Sequence, residues 1–346
     1  MRKAGFWWAV SALGLGFVVV ILGAYTRLVH AGLGCPDWPG CYGFLTVPRS
    51  ETGLELAQVR FPDDPVEIFK AWVEMIHRYV AGLLGLMILG LALFSLRWRK
   101  REPDYPVLLC FGLLALVTAQ AIFGMWTVTL KLWPQIVTGH LLGGFATLSL
   151  LTLLCLRLSG QFPVFAGQQA ARLRRLAWVV MAVVIAQITL GGWTSTNYAA
   201  VACVDFPTCH GVWWPETDFA AGFNIMQEIG PNYLGGQMDG PARTAIHITH
   251  RIGALVTLFA VLILAWQLLR FGLGRLAGLL TLALAVQIAL GITNVLAHLP
   301  LAVAVAHNAF GAVLLLVMVS VLYRLRGERR SLVFSRQTDG LGLASH

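Results

Sequence analysis

The sequence predicts an all-α polytopic membrane protein, with eight transmembrane helices forming two pseudo-symmetric four-helix bundles. Three observations carry that expectation. At 58% hydrophobic and 12% charged, the 346-residue chain is too apolar for a soluble domain of its size. Eight apolar stretches reach the roughly 20 residues a helix needs to cross a hydrocarbon core. Finally, the pattern Cys-x-Asp-x-Pro-x-Cys-x-Gly occurs twice, at Cys35–Gly43 and Cys203–Gly211, and each copy precedes a membrane-length segment opening with a His-Arg pair. A repeated loop followed by a repeated intramembrane histidine implies two copies of one folded unit.

In chain order the spans fall near 7–29, 74–96, 107–130, 136–156, 176–197, 244–269, 275–298 and 301–323. Basic residues set their limits. Arg2 and Lys3 precede the first span, and Arg97, Arg99, Lys100 and Arg101 follow the second. Arg157, Arg172, Arg174 and Arg175 follow the fourth, while Arg270 and Arg275 separate the sixth from the seventh. Arg324, Arg326, Arg329, Arg330 and Arg336 follow the eighth. Lys and Arg accumulate on cytoplasmic flanks, so both termini are expected in the cytoplasm of a bacterial inner-membrane protein. The long loops 30–73 and 198–243, with Asp63, Asp64, Glu216 and Asp218, are expected outside. The repeat divides the chain into an N-terminal half, 1–156, a cytoplasmic linker, 157–175, a C-terminal half, 176–326, and a cytoplasmic tail, 327–346. Membrane topology accounts for the +9 net charge, which therefore gives no support to nucleic-acid binding. Membrane lipid is the expected surrounding.

Four of the six cysteines, Cys35, Cys41, Cys203 and Cys209, fall in the external loops, where an oxidising compartment permits disulfides. The expected pairs are Cys35–Cys41 and Cys203–Cys209. Closing so short a loop stabilises by only about 2 kcal/mol, which suits a loop-shaping role. A redox-active pair is the alternative. Zinc is disfavoured by the spacing, and His210, the neighbour of Cys209, has Tyr42 as its counterpart.

Superposing the halves with a shift of 167 to 173 residues matches His77-Arg78 with His250-Arg251, His140 with His307, and Gln120-x-x-x-Gly124 with Gln287-x-x-x-Gly291. All four histidines lie in the first turns of spans running from outside to inside, so they share one depth. Two imidazoles facing each other inside a four-helix unit can grip a haem iron from both sides. Gly82, Gly85, Gly139, Gly143, Gly144, Gly253 and Gly311 would give a porphyrin room, or serve ordinary close helix packing. His30, His298 and His346 lack matched histidines and are read as non-ligands. His247, one turn before His250, is a candidate alternative ligand or hydrogen-bonding neighbour.

The halves differ at one point. Glu74-x-x-His77 in the first corresponds to His247-x-x-His250 in the second, each pair on one helical face. A carboxylate beside only one site suggests proton chemistry there and a permanent cofactor in the other; an interfacial Glu74–Arg78 pair is the bland alternative. Arg78 and Arg251 are candidates to pair with haem propionates, or simply snorkel. Arg27 is a further candidate, and since its counterpart is Ser195, its role would belong to the first half.

Taken together, the four-plus-four repeat, Gly23-Ala-Tyr-Thr-Arg27, Gly34-Cys-Pro-Asp-Trp-Pro-Gly-Cys41, Glu74-Met-Ile-His77-Arg78, His140, His250-Arg251 and His307 resemble the haem A synthase family, from the first span to about Tyr323. The resemblance implies an enzyme of respiratory-oxidase assembly that oxidises the C8 methyl of haem O to the formyl group of haem A. It implies a substrate haem between His77 and His140, with Glu74 catalytic, and a haem b cofactor between His250 and His307. Haem O synthase and oxidase-assembly proteins would be its partners. Two other classes fit the same residues: a non-enzymatic di-haem cytochrome fed by quinol, and a haem carrier or thiol–disulfide membrane protein.

Overall fold

The computed structural model describes residues 2–160, 165 and 167–326. Eight of its helices are long and apolar enough to cross a membrane: α1 (Phe6–Leu28), α3 (Ile68–Arg99), α4 (Val107–Thr129), α5 (Pro134–Ser159), α6 (Gln168–Thr196), α8 (Gly240–Arg270), α9 (Gly274–Leu296) and α10 (Leu301–Arg324). The chain is a multi-pass, all-helical membrane protein, as its composition predicts. Two short helices, α2 (Glu51–Arg60) and α7 (Phe219–Gly222), lie in the long loops, where sequence periodicity had indicated none.

Three of the spans begin earlier than hydropathy indicates. α3 starts at Ile68, α6 at Gln168 and α8 at Gly240: the helical ladder runs on past the apolar window, in α6 through the polar turns 168–175 and in α3 and α8 past the single cations Lys70 and Arg243. At α8 the start is marked by the Asp239 carboxylate, which accepts the Ala242 N–H at 3.0 Å, with Pro241 in the first turn. Helix consequently occupies both ends of the expected linker 157–175: α5 runs to Ser159, and α6 takes in Arg172, Arg174 and Arg175. The expected tail 327–346, with Arg329, Arg330, Arg336 and His346, lies outside the described residues.

Within the first half, α1, α3, α4 and α5 contact one another in a closed ring; α6, α8, α9 and α10 do the same in the second. The halves meet through α1, α5, α6 and α10. One apolar core fills the first ring, with Leu84, Ile88, Leu113, Leu151 and Leu154. The other spans the second ring and takes in Phe145 and Leu148 from α5.

Turn backbone repeats as well. Among the described residues, the non-glycine positions with positive φ fall into four pairs 167 or 168 residues apart: His30 and Tyr198, Tyr42 and His210, Lys131 and His298, Leu132 and Leu299. The left-handed conformation ends a helix sharply and turns the chain back. His30 and His298 thus have backbone counterparts, although those are not histidines.

Candidate haem-binding sites

The four matched histidines sit on four different helices: His77 on α3, His140 on α5, His250 on α8 and His307 on α10. His77 and His140 lie within electrostatic reach of each other, as do His250 and His307. Each residue retains some accessible surface. Among the described residues, the buried Nδ1 atoms of His77, His140 and His307 have no hydrogen-bond partner, an arrangement proteins seldom leave without a reason.

Each imidazole rests edge-on against a glycine of a neighbouring helix. A Cβ added at Gly23 would stand 3.1 Å from His77 Cε1, at Gly124 3.4 Å from His140 Cε1, at Gly191 3.2 Å from His250 Cε1, and at Gly291 3.1 Å from His307 Cε1. These positions set how closely α1, α4, α6 and α9 approach the histidine helices. The seven glycines singled out from sequence divide between close packing and open space. Gly139 faces Phe123, Gly143 faces Gln120, and Gly253 faces Gln187; nothing lies near a Cβ at Gly82 or Gly85. The Gln-x-x-x-Gly spacing was the available signal, and a third instance, Gln187-x-x-x-Gly191, escaped notice because its first-half counterpart begins with Val19.

One turn before each His-Arg pair, a buried polar side chain reaches backbone of the preceding long loop. The buried Glu74 accepts the Cys35 N–H at 2.9 Å and pairs with Arg78 at 2.5 Å. The same Arg78 donates to the Asp37 carbonyl at 3.0 Å and to the Gly40 carbonyl. In the second half His247 is buried and its Nδ1 lies 2.9 Å from the Ala199 carbonyl, so the ring donates there. That protonated nitrogen cannot also accept the Cys203 N–H, which approaches to 3.4 Å. Arg251 donates to the Thr208 and Asp205 carbonyls, each at 2.8 Å. Glu74 thus holds the cystine loop itself, whereas His247 holds the short turn at Ala199 that precedes it.

Disulfides join Cys35 to Cys41 and Cys203 to Cys209. The aspartate of each motif completes the loop from within. Asp37 accepts the N–H groups of Tyr42 and Gly43 at 2.6 and 2.7 Å. Asp205 accepts those of His210 and Gly211 at 2.7 and 2.9 Å, and the Thr208 hydroxyl at 2.6 Å. These bonds hold the Asp205 carboxyl at about 2, well below its ordinary value. His210 Nε2 donates to the Ala202 carbonyl at 2.8 Å.

Arg27 departs from expectation. Its guanidinium leaves the first half and donates to the Ser195 carbonyl at 2.7 Å, with the Tyr198 ring 4.1 Å beneath it. Placement at the end of α1, close to α6, makes it a bridge between halves, which sequence position alone could not reveal.

The chain matches, over residues 6–319, the family model COX15-CtaA, described as a cytochrome oxidase assembly protein. It belongs to the COX15-CtaA family. It is 46% identical to a protein of Shewanella oneidensis named "Heme A synthase", over 92% of this chain and 96% of the relative. Proteins of the same name from Sphingopyxis alaskensis and Rhodospirillum centenum are each 29% identical, over 94% of this chain and 92% and 89% of theirs. The donor set of this COX15-CtaA member suits haem. Two imidazoles from different helices, with buried ring nitrogens lacking partners, can supply axial ligands while a porphyrin supplies the equatorial ones.

Proposed function

We propose that this protein is a haem A synthase, an oxidoreductase that converts the C8 methyl group of haem O to the formyl group of haem A by successive oxidations. The observation that carries the reading is the pairing of the four histidines, His77 with His140 and His250 with His307, in a chain 46% identical to a protein of that name. The two rings are read as two pseudo-symmetric units, 1–156 and 176–326, with two tasks.

In the N-terminal unit His77 and His140 would bind the iron of haem O and fix its porphyrin in one orientation. Glu74 lies one turn from His77 on the same face, and would be the group to accept a proton from the substrate there. Arg78 holds that carboxylate and the Cys35–Cys41 loop together. In the C-terminal unit His250 and His307 would hold haem b. When bound, haem b supplies reversible one-electron transfer. His247, anchored to the loop where Glu74 stands in the other unit, brings no carboxylate there. That difference supports substrate chemistry in the first unit and a resident cofactor in the second. With their guanidinium groups largely engaged by loop carbonyls, Arg78 and Arg251 reach propionates only through remaining N–H groups.

The distribution of Lys and Arg supports a reading in which both described ends are cytoplasmic and the disulfide loops face the oxidising side of a bacterial inner membrane. Haem O would arrive from its synthase and haem A leave towards an oxidase under assembly.

The test is pigment extraction and mass analysis of purified protein before and after incubation with haem O. Haem B together with hydroxylated haem O or haem A is expected. Two haem B molecules per chain and unaltered haem O would favour the di-haem cytochrome instead.

A further inference from the structure

Arg78 and Arg251 mark a depth. In α3 no charged residue lies between Arg78 and Arg97, and in α8 none lies between Arg251 and Arg270, so each helix carries an uncharged run of 18 residues. Such a run is about 27 Å long, close to the roughly 30 Å of a hydrocarbon core. The two arginines therefore stand at the loop-bearing edge of that core, and α3 and α8 continue beyond it for about three turns. Each arginine holds its cystine loop at this level and not at the helix tip. Arg78 takes the Asp37 and Gly40 carbonyls, and Arg251 those of Asp205 and Thr208. A tight turn closes each loop, bridging Cys41 to Phe44 and Cys209 to Val212, and delivers equivalent residues just beyond it: Leu45 in the first loop and Trp213 in the second. Both point away from the protein. Leu45 is 85% exposed, Trp213 76% and its neighbour Trp214 63%. The Tyr79 hydroxyl donates to the Leu45 carbonyl at 2.8 Å, which fixes the first tip beside the residue that follows Arg78. Tyr79 heads an exposed stripe with Leu83 and Leu86, and its counterpart Ile252 heads another with Leu255, Val256 and Phe259. Their spacing puts each stripe on one helical face, and on a spanning helix an exposed apolar face meets lipid.

We propose that the two cystine loops are fingers docked on lipid, with Leu45 and the Trp213–Trp214 pair seated in the headgroup layer at the loop-bearing edge of the bilayer. Continuity carries the assignment. The first tip is bonded to the head of α3's exposed stripe, so lipid that covers the stripe also reaches Leu45. The second loop is tied to Arg251 at the equivalent level of α8, immediately above Ile252. Indole suits that boundary, since its ring is apolar and its N–H finds partners among headgroups and water. The backbone suits it too. Asp37 and Asp205 accept the N–H groups of the turns, so these donors need no water. The fingers are held in different ways. Ile252 stands where Tyr79 supplies a hydroxyl, so the second finger lacks that tether and carries two indoles instead, with Trp214 stacked on Phe219 at 6.1 Å between centroids.

The experiment uses the full wild-type chain in phosphatidylcholine nanodiscs whose lipid carries a diazirine at the headgroup end of one acyl chain. After photolysis, peptide mass analysis should find lipid adducts on residues 44–46 and 212–214. Hydroxyl-radical footprinting of the same discs should find Trp213 oxidised far more slowly than in the unfolded chain. A Trp213 rate close to the unfolded one puts the indole in water and overturns the proposal. Protection without adducts means that protein covers the tip, a second copy of this chain included, and overturns lipid as the occupant. Y79F should lose adducts on the first finger and keep those on the second; W213S/W214S should do the converse. Labelling of both fingers unchanged in both variants overturns the two tethers. Should either variant fail to fold, the wild-type adducts and the Trp213 rate decide.

Discussion

Arg27 and Ser195 occupy equivalent positions in the two copies of the repeat, and the guanidinium of the first donates to the carbonyl of the second at 2.7 Å. His30 and Tyr198 are likewise equivalent. Their rings stack with centroids 5.6 Å apart and planes 1° from parallel, and His30 Nδ1 lies 3.2 Å from the Tyr198 hydroxyl. Contacts between equivalent positions are what a two-fold relation produces near its axis. At this junction the residues themselves differ, so the link has a direction: a cation on one side, a carbonyl and an aromatic ring on the other.

Replacing Arg27 with alanine should therefore weaken the junction between the halves. Losing a charge-assisted hydrogen bond to a backbone carbonyl costs about 2 kcal/mol. Thermal denaturation in detergent should show a lower midpoint for R27A and an intermediate one for R27K, which keeps the charge but not the planar fork. An R27A midpoint equal to wild type would mean that the bridge contributes nothing.

Glu74→Gln keeps an oxygen to accept the Cys35 N–H while removing the negative charge that faces Arg78. Haem should stay bound, and conversion of haem O should fall to background. Mass analysis of extracted pigment checks both. Full conversion would take Glu74 out of the mechanism.

Alanine at His250 or His307 should abolish the b-haem absorption spectrum. Alanine at His77 or His140 should preserve that spectrum while product formation stops. An identical spectral loss from all four variants would contradict the division of labour between the units.

The loop around Cys203–Cys209 should loosen in acid. Asp205, held at about 2 against an ordinary 3.8, supports the loop fully above the ordinary carboxylate value; that support fades as pH falls from there towards about 2. Amide exchange at His210 and Gly211, corrected for intrinsic rates, should show protection declining across that interval in wild type and remaining flat in D205N. Equal protection at both ends of the interval in wild type would show that the carboxylate does not hold these amides.

Much of this was legible in sequence for a simple reason. Hydrocarbon thickness imposes a length and an apolarity on each span, so eight helices could be counted, and repetition marked His77, His140, His250 and His307 together with the cysteine pairs. Helix ends were less legible, because α3, α6 and α8 continue past the cations Lys70, Arg175 and Arg243, near which hydropathy ends a span. Loop anchoring by Glu74, Arg78, His247 and Arg251 was hidden too, since each reaches backbone roughly 40 residues away, and backbone atoms carry no side-chain signature.

By itself the sequence determined the solvent, the number of spans and the duplicated histidines, for these follow from composition, length and pattern along one chain. Only the tertiary structure decided which glycine meets each imidazole, that Arg27 crosses to Ser195, and that Gln187 stands over Gly253 beside His250. Such contacts depend on how closely and at what rotation two helices pack, a property of the pair that neither helix carries in its own periodicity.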